Sequence, residues 1–207
     1  MLPAPKRGTD LLVAVGDMVM SQSFLWPSTV FDVEDAPRFW TCARTIPRWE
    51  KKFAQWLKGR KIPQYLPVYE RTTVSHRKRR TTEMPLFPGY VFVLGDHSKS
   101  DFQLSGCVAR VLKPACVAES VSLDKQITDI WRSLDSGLPI LPVADFVPGE
   151  DVEVVDGPLQ GTFGRFLRSG SNGTLILSVS MLGVGVSVEL GPDCRVESVE
   201  TPVSAAG

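Results

Sequence analysis

The stretch that most constrains the fold of this chain is PLFPGYVFV, residues 85–93. Tyr90 and Phe92 alternate with valines, so a strand built from this stretch is apolar on both of its faces. Pro88-Gly89 supplies one fixed and one permissive φ angle, which starts the strand from a turn. One apolar face is expected to cover a core. The other, with Phe87 just before it, is expected either to lie under a second layer or to bind a partner.

A strongly basic run precedes this strand and favours partner binding over burial. Residues 76–80 read His-Arg-Lys-Arg-Arg, and a buried layer would not tolerate so many charges without partners. On the other side of the run, residues 65–70 include a proline and predict an edge strand. Two strands that flank the polar segment 71–83 predict a long antiparallel hairpin with a basic tip.

The net charge of zero hides an uneven distribution along the chain. Residues 38–99 hold 14 Lys and Arg against 4 Asp and Glu, whereas residues 101–207 hold 7 against 14 and residues 1–37 hold 2 against 5. Segments of opposite sign predict two modules with different partners, of which the basic one faces a polyanion.

The first module is expected to be an antiparallel sheet flanked by helices. A short strand over 38–44 precedes a helix that Pro47 can start and Gly59 can end. The side chains of its apolar stripe fall at i, i+4, i+7 and i+8, and they are Trp49, Phe53, Trp56 and Leu57. Residues 108–112 predict a further strand. Ser122 is expected to cap a second helix, which ends at Gly137.

A linker and a second module follow. The stretch 138–148 contains three prolines and no helical period, which is typical of a domain boundary. Five short β-rich runs then occur within about fifty residues and predict a small closed barrel, since closure removes exposed strand edges. The fold class is therefore α+β. The predicted bounds are 1–37 for an irregular or disordered extension, 38–136 for the first module, 137–147 for the linker, 148–200 for the barrel and 201–207 for a tail.

Cysteine and histidine usage excludes several classes of site. The four cysteines form no CxxC pair and only two histidines occur, so neither a zinc site nor a disulfide framework is predicted, and a reducing cytoplasm is the expected setting. No apolar run approaches the length needed to span a membrane. The apolar residues 11–20 are interrupted by Asp17, which argues against a signal peptide.

The turn between the first two strands of the second module carries the most specific motif. Its residues are Gly157, Pro158, Leu159, Gly161 and Gly164. With the strands that follow, this turn resembles the KOW barrel of the NusG family of transcription elongation factors. Phe39-Trp40, the first helix and residues 86–93 are similar to the amino-terminal domain of that family. The resemblance covers roughly residues 38–200.

The resemblance implies a function without catalysis. The amino-terminal domain would bind the clamp helices of RNA polymerase through an apolar patch of Phe87, Tyr90 and Phe92, and would suppress pausing or termination. In the specialised RfaH-like branch, which this sequence favours over the general factor, a basic hairpin reads single-stranded non-template DNA. The residues here that match this hairpin are Arg77, Lys78, Arg79, Arg80, Thr81 and Thr82.

The resemblance also implies partners for the second module. In the general factor the KOW barrel binds a small ribosomal subunit protein or the termination factor Rho. In the RfaH-like branch this module can become a helical hairpin. The many glycines and β-branched residues here favour the barrel.

Two other function classes match the sequence less well. A KOW-containing ribosomal or RNA-binding protein is the alternative, but it predicts a basic barrel, whereas residues 148–200 hold 3 Arg against 8 Asp and Glu. An enzyme would need a phosphate-binding loop, clustered carboxylates or an activated nucleophile, and the sequence offers none. No catalytic residue, cofactor or metal is therefore predicted, and the protein is expected to act as a monomer.

Overall fold

A computed structural model of the chain describes residues 24–32, 38–75, 78–143, 150–169 and 172–199. Within these ranges the chain forms strands, two α-helices and three short 3-10 helices. The strands are β1 (Leu25–Trp26), β2 (Trp40–Thr45), β3 (Gln64–Tyr65), β4 (Val68–Ser75), β5 (Lys78–Pro85), β6 (Tyr90–Leu94), β7 (Val108–Leu112), β8 (Ile140–Val143), β9 (Glu150–Asp156), β10 (Phe163–Ser169), β11 (Asn172–Val179), β12 (Val184–Leu190) and β13 (Arg195–Ser198). The helices are α1 (Glu50–Gly59) and α2 (Val117–Asp135). Among the described residues, no helix is long and apolar enough to cross a membrane.

The first sheet has the strand order β1-β3-β6-β2-β7, with every pairing antiparallel. The run at 85–93 therefore supplies its central strand, β6. Both faces of this sheet are covered. Ala43 and Val91 pack with Phe53 of α1 on one face, and Cys42 and Phe92 pack in the cluster that includes the apolar side of α2 on the other. The predicted sheet flanked by helices is confirmed.

The predicted hairpin is confirmed in part: the polar segment itself forms most of its two strands, and residues 76–77 at its tip lie outside the described residues. Strands β4 and β5 pair with each other over their full length, from Val68 opposite Pro85 to Ser75 opposite Lys78. They form a two-stranded sheet separate from the first one. Leu66-Pro67 separates β3 from β4, so the edge strand predicted over 65–70 is divided into two.

The second sheet has the order β13-β9-β10-β11-β12-β8. All five strands predicted in this module are present, but no closed five-stranded barrel is found among the described residues. Its outer strands β13 and β8 do not pair with each other, and β8 adds a sixth strand. This strand lies inside the predicted linker. The prolines that indicated a linker are compatible with β8 because it is an edge strand, with one side free of ladder hydrogen bonds.

Two further expectations from the sequence were wrong in detail. Helix α2 begins at Val117 after Cys116, not at Ser122, and the carboxylate of Glu119 accepts a hydrogen bond from the N–H of Ala115 (2.7 Å) at this end. Part of the supposedly irregular extension is ordered, since residues 24–32 form β1 and a 3-10 helix whose Phe31 is buried in the core. Residues 1–23 and 33–37 lie outside the described residues.

Candidate partner-binding surface

The apolar patch predicted from the sequence is mostly covered. Phe87 is 2% exposed and Phe92 is fully buried, and their rings meet edge to face with centroids 6.0 Å apart. Tyr90 is half-buried. The expectation that this face of β6 is open was therefore wrong for Phe87 and Phe92.

Two elements distant in sequence account for this burial. The apolar side of α2, which includes Leu123 and Ile127, joins the cluster that contains Phe92. Phe31 from the ordered extension packs beside α2. The centroid of its ring lies 4.9 Å from that of Trp131 and 5.2 Å from that of Tyr65. Because apolar side chains cover both faces of β6 at Phe92, no partner is needed to shield this ring from water.

A buried polar cluster fixes α2 and the extension on the sheet. Asp124 of α2 accepts hydrogen bonds from Arg38 Nε (2.8 Å) and Trp40 Nε1 (2.7 Å). Arg38 also donates to the backbone carbonyl of Val30 (3.0 Å) and to Thr128 Oγ1 (2.9 Å). This cluster was not predicted from the sequence. Its only sequence signal is a charged residue on the apolar side of a helix, which does not identify a partner more than 80 residues away.

The end of the first sheet near Tyr90 remains open. Arg44 lies directly opposite Tyr90 on one side and Arg110 on the other, so the three residues form a row across β6, β2 and β7. Both arginines are exposed, and the guanidinium of Arg44 lies 6.0 Å from the centre of the Tyr90 ring. Neither arginine was predicted from the sequence as a binding residue. Strand alternation places Arg44 on the face of Trp40 and Cys42, but the pairing of β2 with β7 is not readable from the sequence.

The hairpin carries its predicted basic residues on β5. Lys78, Arg79 and Arg80 are exposed, as are Thr81 and Thr82, whereas Arg77 lies outside the described residues. Successive side chains of a strand point to opposite faces, so both faces of the hairpin carry positive charge.

Contacts across the hairpin and with α1 fix its shape and position. Thr81 Oγ1 lies 3.0 Å from Thr72 Oγ1 across the hairpin. Lys51 of α1 pairs with Glu83 (3.2 Å) near its base. The hairpin therefore projects from the first sheet as a basic, solvent-exposed arm.

The glycine-rich turn of the second module has the tight geometry expected of it. Gly157 and Gly161 have φ angles of 101° and 81°, which favour glycine. A Cβ on Gly164 would lie 2.7 Å from the carbonyl oxygen of Ile176 on the neighbouring strand. Leu159 is fully buried, so its side chain supports the turn from inside and does not face a partner. Pro158 lies within the same turn.

The second module contacts α2 directly. Gln126 Nε2 donates to Ser180 Oγ (2.8 Å), and the backbone N–H of Ser180 donates to Gln126 Oε1 (3.0 Å). The ammonium of Lys125 lies 3.3 Å from the centre of the Phe163 ring. Asp129 is buried beside these contacts, and this burial raises the pKa of its carboxyl from an ordinary 3.8 to about 6.

Two comparisons with known proteins found a match. Residues 38–128 match the family model described as transcription termination factor nusG. The chain is also 31% identical over 102 residues to the transcription termination/antitermination protein NusG of Pseudomonas aeruginosa (strain PAO1). That alignment covers 45% of this chain and 55% of the relative, so the chain spans about half the length of the curated relative that it matches. Both findings support NusG family membership.

Proposed function

From this similarity to the NusG family, we propose that the protein is a transcription elongation or antitermination factor. It binds the clamp helices of RNA polymerase and suppresses pausing or termination. The observation that carries this proposal is the family match over residues 38–128, which include β2 to β7, the hairpin and most of α2. The function requires binding surfaces and no catalytic group.

The proposed polymerase contact is centred on Tyr90. Its ring is the accessible member of the three predicted aromatic residues, and an aromatic anchor at the centre of an interface is a common source of binding energy. Phe87 and Phe92 lie in the core and hold the start of β6 in place. Direct contact of the polymerase with these two rings would require α2 and residues 24–32 to separate from the sheet.

Binding to purified RNA polymerase tests this contact. Tyr90→Ala is expected to weaken binding by about tenfold, the order of effect of losing one aromatic anchor. Phe39→Ala is the matched control, since Phe39 is another partly exposed aromatic residue, at the opposite end of β2. Equal binding by wild type and Tyr90→Ala would rule out the Tyr90 surface. No binding by wild type would rule out the polymerase as partner.

The hairpin is proposed to contact single-stranded non-template DNA, as in an RfaH-like paralogue. Exposed arginines neutralise phosphates and stack on bases, and the threonine hydroxyls of Thr81 and Thr82 add short hydrogen bonds. Arg79→Glu/Arg80→Glu should abolish binding of a labelled single-stranded oligonucleotide at low salt. The control Lys58→Glu/Lys99→Glu makes the same change in net charge at exposed lysines outside the hairpin. Equal losses in both variants would show that only overall charge matters.

The second module is proposed to be a KOW-type domain that binds a protein. Its turn geometry at Gly157, Gly161 and Gly164 supports this assignment, and its acidic composition favours a basic partner. A small ribosomal subunit protein or Rho would be such a partner. Binding of purified candidates to the full chain, measured at two salt concentrations, tests this part separately.

A further inference from the structure

The row formed by Arg110, Arg44 and Tyr90 has an unusual charge arrangement. Residues directly opposite one another on neighbouring antiparallel strands have Cβ atoms about 4.5–5.5 Å apart. Arg44 and Arg110 are such a pair, so two positive side chains start from adjacent positions on one face of the sheet. Like charges directly opposite each other are destabilising in a sheet.

Neighbouring residues do not offset this repulsion. Among the ranges that the structure describes, neither arginine forms an ion pair. Glu50 is close in the fold, but it is buried and its carboxylate accepts a hydrogen bond from the N–H of Gly89 (2.7 Å). The side chains packed on this face of the sheet cover Cys42, which is fully buried, but they do not reach Arg44, which is exposed on the same face. The two arginines therefore lie on open surface at the edge of the packed core.

We propose that this row docks an acidic helix of the polymerase partner, so that Arg44 and Arg110 determine which partner Tyr90 can bind. Asp or Glu side chains at positions i and i+3 or i+4 of a helix have Cβ atoms about 5–6 Å apart, which matches the spacing of the two arginines. Each guanidinium can bind one carboxylate through two hydrogen bonds. This inference rests on the proposed polymerase binding and adds the chemistry that the partner surface must have.

The geometry favours an acidic helix over a nucleic acid at this row. The bases of single-stranded nucleic acid stack on open aromatic or guanidinium faces. The ring of Tyr90 is half-buried, and the guanidinium of Arg44 already lies over it. Tyr90 therefore contributes apolar contact area beside the two charges. The basic hairpin carries the exposed charge suited to DNA.

Three double variants of the full chain test the proposal against purified core RNA polymerase. Arg44→Glu/Arg110→Glu should weaken binding at least about tenfold. Arg44→Lys/Arg110→Lys keeps the charge but removes the paired hydrogen bonds, so an intermediate loss of about threefold is expected. Lys58→Glu/Lys99→Glu makes the same net charge change at exposed lysines of α1 and the loop after β6, and it should bind like wild type.

Folding is checked with a fourth variant. Arg44→Ala/Arg110→Ala should melt at the same temperature as wild type or higher, because it removes the repulsion between like charges. A structural role for the arginines predicts a lower melting temperature. The alanine variant should nevertheless bind the polymerase weakly and with less dependence on salt than wild type.

The outcomes separate this inference from the proposed function. If wild type does not bind the polymerase, both are overturned. If wild type binds and the glutamate variant binds equally well, polymerase binding stands and the acidic-helix inference is overturned. If the glutamate variant loses affinity for a single-stranded oligonucleotide and keeps its affinity for polymerase, the row binds nucleic acid and the inference is again overturned.

Discussion

Replacing Asp129 with Asn should make the protein more stable at neutral pH. Asp129 is 4% exposed, and its burial raises the pKa of the carboxyl to about 6, although Lys125, Arg132 and the backbone N–H of Phe163 act in the opposite direction. The folded state therefore holds this proton more tightly than the unfolded state, in which the pKa is near its ordinary 3.8. The stability that comes from binding this proton at Asp129 is complete below pH 3.8 and is lost as the pH rises through 6.

The size of this effect follows from the change in pKa. A rise from 3.8 to about 6 corresponds to a loss of about 3 kcal/mol in the free energy of unfolding at pH 7 relative to the protonated form. Asp129→Asn keeps the shape of the side chain and carries no charge. The free energy of unfolding of this variant should exceed that of wild type by up to that amount at pH 7. Below about pH 4 the two should be equal.

Urea denaturation at pH 4, 5, 6 and 7 measures this difference. Wild type should lose stability relative to Asp129→Asn between about pH 4 and pH 6, because the unfolded carboxyl loses its proton over this range while the folded one keeps it, with little further change at pH 7. Hydrogen exchange of the Phe163 amide reports whether the loss is local, because this N–H is a hydrogen-bond donor to Asp129. The same stability difference at every pH would refute the reasoning, and so would a less stable variant at pH 7.

The remaining predictions concern side chains whose roles the structure separates. Phe92→Ala should lower the free energy of unfolding by about 3–5 kcal/mol, because Phe92 is fully buried, whereas Tyr90→Ala should cost about 1 kcal/mol or less; urea denaturation distinguishes the two. Gly164→Ala should lower the free energy of unfolding by about 1–3 kcal/mol, because the added Cβ meets a backbone carbonyl. Gly191→Ala should change it little, because a Cβ there meets open space, and equal stability of the two variants would contradict the close approach at Gly164. Asp124→Ala should lower the free energy of unfolding by about 3–5 kcal/mol, because it leaves the guanidinium of its arginine partner without a carboxylate. A melting temperature equal to that of wild type would show that this ion pair contributes nothing to stability.

The sequence predicts local structure in the first module well, because each element there has a strong local signal. The stripe of α1 has helical spacing, β6 has two apolar faces, and the polar run that forms most of the hairpin lies between two apolar segments. The sequence correctly predicted a strand at β6 and a hairpin at β4 and β5. The cover of the second face of β6 was not predicted, because it comes from α2 and from Phe31, which are distant in sequence.

The candidate surface was predicted only in part for the same reason. Tyr90 was found, since it belongs to the conspicuous run at 85–93. Arg44 and Arg110 were not found, because each is a single exposed arginine in its own strand and only the pairing of β2 with β7 brings them together. The start of α2 was misplaced because Ser122 is a stronger capping residue than Cys116, although the helix continues past it.

Transcription in vitro is the most direct test of the central claim. Purified RNA polymerase transcribes a template that contains a pause site and a terminator, with and without saturating amounts of the protein. Wild type should shorten pauses and raise read-through, and Tyr90→Ala should need about ten times the protein concentration for the same effect. Pause lifetimes and read-through that stay unchanged with wild type, on templates with several different leader sequences, would contradict a role in elongation or antitermination.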